Sequence, residues 1–137
     1  MHILVIDGMG GGIGKSVIER ICSASREYHI LAVGTNAIAT AAMHKAGANQ
    51  VATGENAIVY NCGRVECIIG TIGIALANSM LGEISPCIAE AVAESKATKI
   101  LIPSSRCNVW IAGVKDQPLA QYIDEIPIIL QKLKREE

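Results

Sequence analysis

Residues 8–16 read GMGGGIGKS, so Gly8, Gly10, Gly11, Gly12 and Gly14 fall within seven positions, and Lys15 and Ser16 follow at once. An apolar run, His2–Ile6, precedes the cluster, and an amphipathic stretch follows it. Glycines at a strand-to-helix turn let backbone N–H groups come close to an oxyanion, and the start of the helix adds partial positive charge. Lys15 adds a cation in the first helical turn. The chemistry that fits is binding of a phosphate-bearing small molecule, with Gly8, Gly10, Gly11, Gly12, Ile13, Gly14 and Lys15 as the candidate phosphate cradle. The bland alternative is a turn that only lets a helix pack closely on a strand. Yet each glycine costs conformational entropy on folding, and a plain connection needs one or two.

Two nucleotide patterns compete for this loop. GxGxxG fails, because Ile13 stands where its third glycine belongs, but GxxxGxG fits as Gly8, Gly12 and Gly14. That spacing resembles the turn of the short-chain dehydrogenases, and the resemblance ends there. Their catalytic YxxxK is absent, since Tyr28, Tyr60 and Tyr122 are followed four residues later by Ala32, Arg64 and Ile126. The second pattern, GGGIGKS, resembles the deviant Walker A of the nitrogenase-iron-protein-like ATPases at Gly11, Gly12, Gly14, Lys15 and Ser16. A magnesium-binding carboxylate at a strand end is missing from IIGT and LIPS. The favoured cofactor class is therefore NADP or NAD. Thr35 and Asn36 follow the second strand where an acidic residue often takes the ribose of NAD, so no local carboxylate repels a 2′-phosphate and NADP is at least as well suited.

These residues need a scaffold. Along the chain we read strands at 2–6, 29–34, near Val51, 66–71, 99–104 and 109–114. Helices are expected over 13–25, 37–46 after an Asn36 cap, ENAIVYNC, 75–81, Ser85-Pro86 to about Ser95, and from about Pro118. The strands are apolar without alternation, which marks strands covered on both faces. The fold class is α/β: a Rossmann-like three-layer domain with a mostly parallel sheet of five to six strands, ordered 3-2-1-4-5 through the first five. In that order the residues just after each strand share one rim, so Thr71 and the Ser104–Cys107 loop join the glycine turn, Thr35 and Asn36. Arg106 is a candidate anion partner. Cys107, beside that cation, and Glu83 are the candidate catalytic groups. Asp7 is expected to hydrogen-bond the glycine-loop amides. His2 and His29 start strands on the opposite edge and His44 lies on a helix, so the rim has no histidine.

Composition narrows the class. The chain has 137 residues, 50% hydrophobic, no Phe and a net charge of −1, which argues for one domain and against a nucleic-acid surface. No apolar run reaches membrane-span length and no signal peptide is visible, so a cytoplasmic protein is expected. The five cysteines, at 22, 62, 67, 87 and 107, form no CxxC. Cys62, Cys67 and Cys107 could together make a split metal site, but no metal is expected. Pro127 should interrupt the last helix, and the apolar residues around it either cover a sheet face or form a homodimer contact.

Taken end to end, the stretches ILVIDGMGGGIGK, AVGTNAIATAAMHKAGA, ATGENAIVYNC, IIGTIGIALANSMLGEISP and KILIPSSRCN resemble a bacterial family of short Rossmann-like proteins, domain of unknown function 3842. The resemblance implies the fold and a bacterial cytoplasm; it implies no catalytic residue. The function expected is nucleotide binding at loop 8–14. The alternatives are a non-catalytic nucleotide sensor or oligomeric interaction module, and a deviant P-loop ATPase. Whether the protein is an enzyme stays open at this point.

Overall fold

The computed structural model describes residues 1–104 and 108–137. Five strands, β1 (His2–Asp7), β2 (His29–Gly34), β3 (Gln50–Thr53), β4 (Cys67–Thr71) and β5 (Thr98–Ile102), form a parallel sheet in the order β3-β2-β1-β4-β5. Five helices alternate with them: α1 (Gly12–Ala24), α2 (Ala37–Lys45), α3 (Glu55–Cys62), α4 (Pro86–Glu94) and α5 (Leu119–Glu136). The pleat sorts the apolar residues of the strands to two faces. Ile3, Val5, Cys67 and Ile69 pack under α1, α2 and α5 through Val17, Ile18, Ile21, Met43, Ile126 and Leu130. Leu4, Ile6 and Ile68 pack under α3 and α4 through Ile58, Ile88 and Val92. Both faces are covered, as continuous apolar strands require.

Local chemistry explains the helix starts. Asn36 accepts from the Ala39 amide at 2.9 Å, and Ser85 accepts from the Ile88 amide at 3.2 Å with Pro86 in the first turn behind it.

Three expectations fail. Residues 109–114 form no strand: Asn108 (φ 52°) and Gly113 (φ 83°) are left-handed, the Val114 amide bonds back to Ile111, and Trp110 is 96% exposed. An apolar run makes a strand only where a neighbour pairs with it. Residues 75–81 form no α-helix either. A short 3₁₀ turn covers Ile72–Ala75, and Asn78, Met80, Leu81 and Gly82 then take positive φ, which no right-handed helix tolerates. Finally, Pro127 does not interrupt α5, which runs through it. Ile123, Ile126 and Leu130 are buried against the sheet and Ile129 and Leu133 pack beside them, so this face covers the domain's own core. That packing offsets the hydrogen bond a mid-helix proline removes.

Candidate functional site

β1 and β4 are neighbours whose crossovers leave in opposite directions, so a crevice opens beyond their carboxyl ends. The loop from Gly8 to Gly11 lies there. Asp7 takes one amide at each end of the glycine cluster: its Oδ1 accepts from Gly8 N at 2.8 Å and its Oδ2 from Gly14 N, in the first turn of α1, at 2.7 Å. Asp7 is only 5% exposed. Burial pushes its carboxyl above the ordinary 3.8, the bonds from Gly14 and Gly8 pull it down, and the nearby Glu83 charge adds to the rise. A raised carboxyl binds its proton more tightly in the folded state than in the unfolded one. Its contribution to stability is therefore fullest at low pH and falls as pH climbs above 3.8. Asp7→Asn removes that titration. Urea unfolding across pH should show wild type losing ground to Asp7→Asn as pH rises from 3.8 upward; an opposite slope would mean the hydrogen bonds outweigh burial.

The glycines divide into two kinds. A Cβ on Gly8 would lie 2.7 Å from Thr35 Oγ1, one on Gly11 2.7 Å from Ala39 Cα, and one on Gly14 2.6 Å from Met43 Sδ. These three are required by packing, and Gly11 also by its φ of 74°. Gly10 and Gly12 meet nothing within 4 Å and have ordinary φ. Neither backbone conformation nor close packing demands glycine at either position. Among the described residues, the amides of Gly10, Gly12 and Ile13 donate to nothing, whereas Gly11 N bonds to Gly8 O and Lys15 N to Gly11 O. Gly10, Gly12 and Lys15 are exposed.

Thr71 closes the floor. Its neighbours two and four residues back, Ile69 and Cys67, belong to the α1 face, so Thr71, at the carboxyl end of β4, shares that face. It is 4% exposed, and its hydroxyl has no hydrogen-bond partner among the described residues. A buried polar atom without a partner is uncommon in a native fold.

Glu83 arrives from the segment between β4 and α4. Its Oε1 accepts from Thr35 Oγ1 at 2.9 Å and Asn36 Nδ2 at 2.6 Å, and its Oε2 from Met9 N at 3.0 Å. The Asn36 amide, with help from Thr35 and Met9, holds its carboxyl below the ordinary range, so it is ionised at neutral pH. This corrects the premise that favoured NADP: the end of β2 does carry a carboxylate, supplied from 48 residues away.

Other candidates separate. Cys62 belongs to the α3/α4 side and Cys67 to the α1 side, so the sheet divides them and they share no metal. Burial pushes their thiols up to about 11 and about 12. Among the described residues no group of three His, Cys, Asp or Glu could hold a metal ion. Cys107 and Arg106 lie outside the described residues. Lys15 and Ser16 are the fourth and fifth residues of α1, and Ser16 Oγ bonds to Gly12 O at 3.0 Å. A P-loop would hold that pair at the loop–helix junction with the hydroxyl turned to magnesium. The His2 and His29 rings meet at a tilt of 58° with centroids 5.0 Å apart at the strand beginnings, away from the crevice. Ser85 Oγ donates to Glu55, tying the starts of α3 and α4 together at the rim. No helix among the described residues is long and apolar enough to cross a membrane.

A family model, Domain of unknown function (DUF3842), matches residues 2–135. The chain belongs to that family. The five-stranded parallel α/β domain described above is thus the fold of a DUF3842 member. One similar solved structure is a dodecameric FMN-dependent UbiX-like decarboxylase from Escherichia coli O157:H7. It is 13% identical, with a TM-score of 0.47, over 98% of this chain and 77% of that one. No curated protein matches the chain.

Proposed function

We propose that this DUF3842 protein binds a phosphate-bearing small molecule, a nucleotide, at the mouth of β1 and β4. The observation that carries the reading is the pair Gly10 and Gly12, which neither packing nor backbone conformation requires. Bare backbone at an open surface is what an approaching phosphate needs. The free amides of Gly10, Gly12 and Ile13 would take its oxygens, Lys15 would supply charge, and the Thr71 hydroxyl is an unused donor below them. Asp7 already occupies the Gly8 and Gly14 amides, so the oxyanion sits further out than the loop pattern alone implies. The residues assigned to the ligand are Gly10, Gly12, Ile13, Lys15 and Thr71 on the phosphate side; on the ribose side Thr35 and Asn36 act through Glu83, the carboxylate their side chains hold. Gly8, Gly11 and Gly14 shape the loop.

The test is a thermal-shift series with NAD, NADP, ATP and AMP. A ligand at about 100 times its Kd stabilises by roughly 2.7 kcal/mol. Gly12→Val should abolish the shift while leaving the Tm of the free protein nearly unchanged, because its side chain enters open space. Retention of the shift in Gly12→Val would move the site elsewhere, and a response to ATP only with magnesium would restore the P-loop alternative. No catalytic step is assigned.

A further inference from the structure

The Glu83 knot bears on which nucleotide the site takes. Three donors from two other segments converge on this one carboxylate, at 2.6, 2.9 and 3.0 Å, and pin it at the carboxyl end of β2. In a parallel sheet of this order that corner is where the ribose falls when phosphate lies on the α1 amides, and a carboxylate there accepts from a ribose hydroxyl. A carboxylate offers about four acceptor sites. Oε1 holds two donors but Oε2 holds only one, so one acceptor position is left for a hydroxyl. Around the knot, Met9 (48% exposed), Ile38 (71%) and Leu81 (93%) lie within two residues of its members and present uncovered apolar surface suited to a base. The buried Thr71 hydroxyl, unpartnered among the described residues at the carboxyl end of β4, is an independent sign that the same crevice is built for a guest.

We infer that Glu83 reads the ribose, so that the site selects a nucleotide with free 2′- and 3′-hydroxyls and rejects one carrying a 2′-phosphate. The inference rests on the nucleotide reading above. A free hydroxyl completes the carboxylate's hydrogen bonding. A 2′-phosphate would set a dianion against a fixed anion that has no cation among the groups bonded to it, and like-charge juxtaposition is how binding sites exclude a near-identical rival. Segment 76–84 serves this role well: consecutive turns through left-handed Asn78, Met80, Leu81 and Gly82 bring Glu83 back over the sheet, with Asn78 N bonded to Ile84 O at 2.7 Å.

Matched pairs test it by isothermal titration calorimetry: NAD against NADP, and AMP against adenosine 2′,5′-bisphosphate, with inorganic pyrophosphate as a probe of the amide cradle alone. Wild type should bind the unphosphorylated member of each pair roughly tenfold or more tightly. Glu83→Gln should bring each pair to near equality while pyrophosphate binding is retained or tightened. Equal binding of both members by wild type, or tighter binding of the 2′-phosphorylated one, overturns the inference and leaves the nucleotide reading standing. A ratio unchanged in Glu83→Gln, accompanied by a lower Tm, makes Glu83 a brace for the loop and overturns its role in selection. No heat with any nucleotide or with pyrophosphate removes both readings together.

Discussion

Gly11→Ala should cost about 3 kcal/mol and lower the Tm by roughly 10 °C, whereas Gly12→Ala, one residue on, should be neutral or stabilise by up to about 1 kcal/mol. The two differ in what surrounds them. An added Cβ at Gly11 would stand 2.7 Å from Ala39 Cα and 3.0 Å from Ala39 O, both backbone atoms of α2 that cannot swing aside. The φ of 74° there is also strained for any residue with a side chain. Gly12 opens α1 with nothing within 4 Å, and alanine is the better helix former. Differential scanning calorimetry on both variants checks the contrast. Similar losses at both positions would mean that Gly12 is also there for packing, which would take away the main support for a ligand at this loop.

The second large effect is expected in α5. Leu130→Ala should destabilise by about 3 kcal/mol, since its side chain is fully buried in the cluster between α5, α1 and the sheet. Ile128→Ala should change stability by less than about 0.5 kcal/mol, because that side chain is 55% exposed on the same helix. Urea denaturation measures both. A small loss at Leu130 would mean that α5 does not cover the sheet in solution, and that its apolar face is free for another copy of the chain.

The sequence carried the frame of the site a long way. Apolar strands without alternation, each followed by a helix signal, gave the parallel sheet, its order 3-2-1-4-5 and the rim where Asp7, Thr35, Asn36 and Thr71 gather. Capping chemistry at Asn36 and Ser85-Pro86 marked two helix starts to the residue. Asp7 bonding to the glycine-loop amides was also legible, because a carboxylate one residue before such a turn has its donors within local reach. Two of the failures share a cause. Residues 109–114 and 75–81 have suitable composition, but a strand needs a partner and a helix needs negative φ, and composition reports neither.

What the sequence determined by itself, then, is everything set by local spacing: the alternation of strand and helix, the caps, and a glycine-rich turn before α1. It could not sort the glycines, because whether a position has room for a Cβ depends on α2 and on Met43 and Met80, which come from elsewhere in the chain. Nor could it find the Glu83 knot, whose bonds to Thr35 and Asn36 span 48 and 47 residues and exist only because the left-handed turns after β4 fold back across the sheet end. Hydrogen bonds act over about 3 Å of space whatever the distance along the chain, so the charge at the mouth of this sheet was decided by tertiary structure alone.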